Sequence, residues 1–188
     1  MQRTCKNILF LAIACFLAAI PAPIRAGTET GLSGTPREIK AAFIYNFINF
    51  IHWPTRPIVE EKEILICVIS KKTMIDSLSI LNNKQIRDKA ITVKPYSLTD
   101  TPDHCHLLYV PSTDPNLVEQ VLQRVRNKPI LTIGEAVTFP RSGGIIGFIS
   151  SGRTIRFAIN LEAARKAGIT ISSKLLSLAT IIRNNDLP

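Results

Sequence analysis

The chain of 188 residues carries 23 Lys and Arg against 14 Asp and Glu, a net charge of +9, with 46% hydrophobic residues and four cysteines. That balance excludes a disordered chain and a disulfide-dense miniature scaffold, and the length suits one domain with its own core. The basic residues are scattered, Lys71-Lys72 and Arg124/Arg126/Lys128 being the densest groups, and no aromatic residues interleave with them to stack bases, so nucleic acid is not an expected partner.

Arg3 and Lys6 precede an apolar run from Ile8 to Ile20, followed by Pro21, Pro23 and a small residue at Ala26. A basic start, a short apolar segment and a small-residue cleavage site predict a secretory signal peptide over residues 1–26, cleaved after Ala26. The run is shorter than the roughly 20 apolar residues that a membrane span needs, and Pro21 and Pro23 break it where an anchor would continue. Cleavage removes Arg3, Lys6 and Arg25 and no acid, lowering the charge from +9 to +6. Residues 27–34, rich in Gly, Thr and Ser, read as a flexible lead-in, and 35–188 as a single domain.

Thr35-Pro36-Arg37-Glu38 combines a capping hydroxyl, a proline at the first helical position and a glutamate at the third, so a helix is expected from there to about Ile51. Its apolar residues surround most of the circumference, with Lys40, Asn46 and Asn49 as polar relief. Glu63 to Ile69 is a continuous apolar run typical of a strand covered on both faces. A short helix over Thr73–Leu81, strands at Ala90–Val93 and Cys105–Val110, a helix over Asp114–Val125 and a strand at Ile130–Ile133 follow. Gly144–Ile149 and Thr154–Ile159 read as an antiparallel hairpin, residues 160–167 as a short helix, and Ser172 or Ser173 as the cap of a final helix to Ile182. The alternation predicts an α/β domain: a mixed, mainly parallel sheet with helices on both faces, closed by a C-terminal hairpin and helix. The first and last helices carry more apolar surface than one core face needs, which predicts a homodimer.

Cys5 and Cys15 leave with the leader, so an exported protein keeps Cys67 and Cys105, and an oxidising compartment favours one disulfide between them. The competing reading is a metal site of Cys67, His104, Cys105 and His106. It fits poorly, because no Cys-x-x-Cys spacing is present and alternate residues of a strand face opposite ways. No nucleophile elbow accompanies the three histidines, His52, His104 and His106, and Glu60-Glu61-Glu63 reads as a charged approach to a strand. Gly143-Gly144 precedes a strand instead of opening a helix, the wrong setting for a phosphate loop. No catalytic residue, cofactor or metal is expected.

Several motifs occur together and in order: Lys40 to Phe47, with Tyr45 and Asn46, ending in Trp53-Pro54; the two cysteines; Leu131 to Glu135; Gly143-Gly144; Ile155 to Leu161, with Arg156, Phe157 and Asn160; Ala167-Gly168-Ile169; and Ser172 to Leu176, with Leu175 and Leu176. In this the chain resembles the YfiR family of periplasmic proteins over nearly all of its length beyond the leader. The resemblance implies regulation in place of catalysis: repression of an inner-membrane diguanylate cyclase of the YfiN type through its periplasmic sensor domain, and sequestration by an OmpA-like outer-membrane lipoprotein of the YfiB type. Cyclic di-GMP and biofilm formation would follow. One departure is that the best-known member has a second cysteine pair that this chain lacks, which puts redox control through that bridge in doubt. A periplasmic small-ligand carrier or sensor is the alternative, for which a pocket near the strand ends would speak.

Overall fold

The computed structural model describes residues 34–54, 62–69, 72–151 and 154–183; the leader, most of the lead-in and the chain's last five residues lie outside them. Helix α1 (Pro36–Phe50) begins as its sequence predicts. The Glu38 amide donates to Thr35 Oγ1 at 3.4 Å and the Thr35 amide to Glu38 Oε2 at 2.7 Å, a reciprocal cap. Strand β1 (Ile51–His52) ends it, and β2 (Glu63–Ile69), α2 (Lys72–Leu78) and a 3-10 turn over Ser79–Leu81 follow. Next come the hairpin of β3 (Gln85–Ile86) and β4 (Lys89–Tyr96), then β5 (Leu107–Val110), α3 (Pro115–Arg124), β6 (Leu131–Gly134), β7 (Ile146–Ser151) and β8 (Thr154–Asn160). The chain continues through α4 (Leu161–Lys166), β9 (Thr170–Ile171), α5 (Ser173–Leu176) and β10 (Thr180–Ile182).

Eight strands form one sheet in the order β10-β8-β7-β6-β5-β2-β4-β3, while β1 and β9 pair separately, Ile51 opposite Ile171. The five strands β4-β2-β5-β6-β7 run parallel, β3 and β8 pair antiparallel to their neighbours, and β10 lies parallel to β8. This is the mixed, mainly parallel sheet that the sequence predicts. Alternate strand residues feed two cores. On one face Ile64, Ile66, Leu107, Tyr109, Ile133, Phe148 and Phe157 pack with α1, α2, α4 and α5; on the other Cys67, Leu108 and Val110 pack with Val118 and Val121 of α3 and with Phe139.

Three expectations change. The final helix is a single turn capped by Ser172, whose Oγ accepts from the Lys174 amide; residues 180–182 form β10, because the edge of β8 offers backbone partners at Ala158, Ile159 and Asn160 that a second helical turn would forgo. Lys40 is not polar relief but lies in the buried stripe of α1 with Ala41, Ile44, Phe47 and Ile48. His52 stands in β1 opposite Thr170. The β3–β4 hairpin was not expected: Arg87 and Asp88 take φ of 49° and 64°, the twist that a two-residue hairpin needs, without the usual glycine or asparagine. Arg87 is held there by function within the fold. Its guanidinium donates to the carbonyls of Asn49 (2.5 Å) and Ile51 (3.1 Å), supplying the cation that the last turn of α1 lacks.

The apolar surplus of α1 is consumed by the core, most visibly in the cluster of Phe43, Phe47, Phe148 and Phe157, whose ring centroids lie 4.8–6.1 Å apart. That removes half of the sequence argument for a homodimer. At the other end Leu178 is 73% exposed, while Leu175 is buried.

Cys67 of β2 and Cys105, just before β5, form the expected disulfide across a separation of 38 residues, with Cα atoms 5.8 Å apart. Both side chains are buried beside α3, so the bridge fastens the two central strands where the sheet is most enclosed. With both cysteines in the bridge, neither remains as a thiolate ligand for the metal alternative. Cys67→Ser and Cys105→Ser are each expected to lower stability by about 2–5 kcal/mol in urea denaturation, and thiol labelling of the denatured, unreduced protein to find no free cysteine between residues 27 and 188.

Candidate functional site

Five parallel strands in this order leave a switch point between β2 and β5, from which the chain winds outward on both sides and beyond whose carboxyl ends a crevice opens. The crevice is present here, about 760 Å³ in volume, between the first turns of α1, the start of α2 and the residues that follow β5 and β6. Thr73 and Ser77 supply hydroxyls, Met74 and Ile80 an apolar wall, and Arg37 and Asp76 opposite charges.

Its floor holds a charged network. Lys40 Nζ donates to Glu135 Oε1 at 2.9 Å, and Tyr109 OH donates to the same oxygen at 2.5 Å. The Lys40 ammonium also stands 5.9 Å from the centre of the Phe148 ring, on its face. Tyr109 is fully buried, and burial together with the adjacent Glu135 carboxylate pushes its hydroxyl far above the usual phenol range, so it stays a donor at every working pH. Lys40 and Glu135 both line the crevice, and Glu135 is the more exposed of the two, 24% against 11%. Both residues belong to sequence motifs noted above, yet neither stood out. The available signal was a lysine at a core position of a helix and a glutamate ending a wholly buried strand.

The remaining motif positions are mostly structural. Trp53 Nε1 donates to the His106 carbonyl at 3.1 Å, and Pro54 packs beside Gly168 after α4. His106 is buried; its Nδ1 accepts from the Leu65 amide at 3.1 Å, so the neutral ring acts as a rung between β2 and the approach to β5. His104 is exposed in a 3-10 turn. Asn160 is buried, its Nδ2 donating to the Pro140 carbonyl at 2.8 Å and its Oδ1 accepting from the Ala163 amide at 2.9 Å, which caps α4 and anchors the loop before β7. In that loop Gly143 has φ of 101°, and a Cβ on Gly144 would collide with the buried Phe139 ring. The glycine pair is a turn around a phenylalanine, as its position before a strand implies.

Tyr45 OH donates to the Gln85 carbonyl at 3.3 Å, tying α1 to β3. Phe157 and Leu175 are core, and Leu176 is half-buried against it. Asn46 and Arg156 are exposed, but the structure does not bring them together. Phe157 faces the α1 layer, so its strand neighbour Arg156 projects from the opposite face.

The YfiR/HmsC-like family profile matches residues 37–180. The chain belongs to that family. Among solved structures it is similar to a conserved domain protein of Vibrio cholerae O1 biovar El Tor, at 14% identity and a TM-score of 0.57, over 79% of this chain and 60% of that one. It is also similar to an ABC domain in complex with L-Trp from Streptococcus pneumoniae, at 15% identity and a TM-score of 0.45, over 63% of this chain and 55% of that one. The chain therefore spans less than two thirds of both neighbours, and the first likeness concerns the fold alone. The YfiR-like family is one of periplasmic regulators of diguanylate cyclases, not typically of enzymes. No helix among the described residues is long and apolar enough to cross a membrane.

Lys40→Met removes the Lys40–Glu135 ion pair, which is expected to cost about 3 kcal/mol, the low end for breaking a buried pair because Glu135 is partly exposed. The double variant Lys40→Met/Glu135→Gln removes both charges, keeps an acceptor for the buried Tyr109 hydroxyl and is expected to recover most of that loss. Urea midpoints of the two variants and the parent protein check this.

Proposed function

We propose that this protein is an exported repressor that holds a YfiN-type diguanylate cyclase of the inner membrane in its inactive state by binding the cyclase's periplasmic sensor domain. An OmpA-like outer-membrane lipoprotein of the YfiB type relieves it by sequestration. Family membership across residues 37–180 carries the reading. The leader at residues 1–26, outside the described part of the structure, would deliver the protein to the periplasm, where the Cys67–Cys105 bridge can form and persist.

The physical requirement is differential affinity. A repressor that bound active and inactive cyclase equally would shift nothing, and driving a switch from mostly on to mostly off takes about 5.5 kcal/mol of preference. An interface of ordinary size can supply that much. Asn46 and Arg156 are exposed motif side chains available to a partner, on opposite faces of the sheet. A homodimer belongs to the same proposal, through the exposed Leu178 and the half-buried Leu176 and Ile181 near it in the chain.

A second reading, a periplasmic small-ligand carrier or sensor, is favoured by the crevice at the carboxyl ends of β5 and β6. The two readings part in the cell. Deleting the gene is expected to raise cyclic di-GMP and surface attachment, and restoring the full chain to lower both. Restoring residues 27–188 alone should not, since a chain kept in the cytoplasm cannot meet a periplasmic domain. Unchanged cyclic di-GMP in a deletion strain that expresses the cyclase refutes repression and leaves the ligand reading in front. For the dimer, light scattering of residues 27–188 at micromolar concentration is expected to give twice the chain mass.

A further inference from the structure

At the opposite end of the sheet from the crevice, the amino ends of β6 and β7 floor a groove of about 280 Å³. Four cations from three separate segments line it: Arg126 and Lys128 in the turn after α3, Arg141 in the loop before β7, and Lys166 at the end of α4. Two carboxylates, Glu119 and Glu162, share the lining, so the groove remains net positive. Lys166 is engaged by Glu162 at 2.9 Å within its own helix, and Lys128 by Asp103 at 2.5 Å. The two arginines, both exposed, supply the remaining positive charge.

The polar groups of the floor are already satisfied. Thr132 Oγ1 accepts from the Ile145 amide at 2.9 Å, and the Asn160 amide group holds Pro140 and α4. These bonds hold the loop that carries Arg141 and the start of α4, and they leave recognition to the guanidinium groups. A planar guanidinium presents paired N–H donors that match two oxygens of a phosphate, and two of them answer a dianion better than a single carboxylate. A volume at the small end for ligand sites suits a phosphate group with few further atoms.

We propose that this groove binds a phosphate-bearing anion, gripped by Arg126 and Arg141. The same chemistry occurs in a free phosphate compound and in a phospholipid headgroup. Titration calorimetry of residues 27–188 with inorganic pyrophosphate, and co-sedimentation with vesicles of phosphatidylcholine alone or with phosphatidic acid added, separate the two sources. Pyrophosphate binding with a sub-millimolar Kd at low salt supports a soluble ligand, and sedimentation with the phosphatidic acid vesicles alone supports a headgroup. In either case Arg126→Gln/Arg141→Gln should weaken binding at least tenfold, whereas Lys94→Glu, an exposed charge on β4, should change it less than twofold. Thermal melting confirms that the variants are folded, and the single variants Arg126→Gln and Arg141→Gln stand in if the double variant is not. Binding to neither probe, or binding that the arginine variants leave unchanged, overturns the proposal.

Discussion

The seating of α1 on the sheet is the constraint from which the rest of this structure follows. A mainly parallel sheet must be covered on both faces, and the face above β5 to β8 is covered chiefly by one helix. The cluster of Phe43, Phe47, Phe148 and Phe157 supplies the burial, each ring pair adding about 0.5–1.5 kcal/mol beyond area alone. Burial has no direction, however, and polar contacts fix the register. Lys40 meets Glu135, which Tyr109 also holds, at one end; Tyr45 and the Arg87 guanidinium tie the other to the β3–β4 hairpin; Trp53 then reaches the His106 carbonyl. Residues more than 80 positions apart in the chain thus agree on where one helix lies.

Signals confined to a few neighbouring residues were legible in the sequence. The capping box at Thr35, the unbroken apolar run of β2 and the helix from Asp114 each declare themselves within a short window, and the two cysteines of the exported chain have only each other to pair with. What was hidden depends on partners far away. Leu175 to Ile182 has helical spacing, yet the open edge of β8 draws its last residues into a strand. The β3–β4 turn lacks glycine because Arg87 gains carbonyl partners at the end of α1 that offset a left-handed backbone. Lys40 looked like solvent relief because nothing within its own helix shows that Glu135 and Tyr109 lie beneath it.

The same distinction explains why the candidate site was harder to read than the fold. Most of the motif residues that carry the family resemblance are occupied in building the domain. Asn160 caps and anchors, Trp53 clamps, the Gly143-Gly144 turn wraps Phe139, and Phe157 fills the core. A catalytic site concentrates its chemistry in a few side chains whose types are visible in the sequence. A regulator that acts by binding spreads its chemistry over a surface, and surface residues have no spacing rule.

The geometry also restricts how such a surface can be used. Asn46 lies on the α1 layer and Arg156 on the opposite face of β8, so one flat interface meets one of them and not the other. A partner that engages both must reach around the β10 edge of the sheet, past Leu178. That edge is short, exposing only the outer backbone groups of Thr180–Ile182 for further pairing. A partner confined to the α1 layer meets the one element whose seating is tied to the crevice, because Lys40 belongs to α1 and Glu135 to the crevice wall. Binding that shifted α1 would strain the Lys40–Glu135 pair, and a ligand that drew Glu135 away would loosen α1. A partner on α1 and a ligand at Glu135 would then act on each other equally in both directions, because linkage between binding sites is reciprocal.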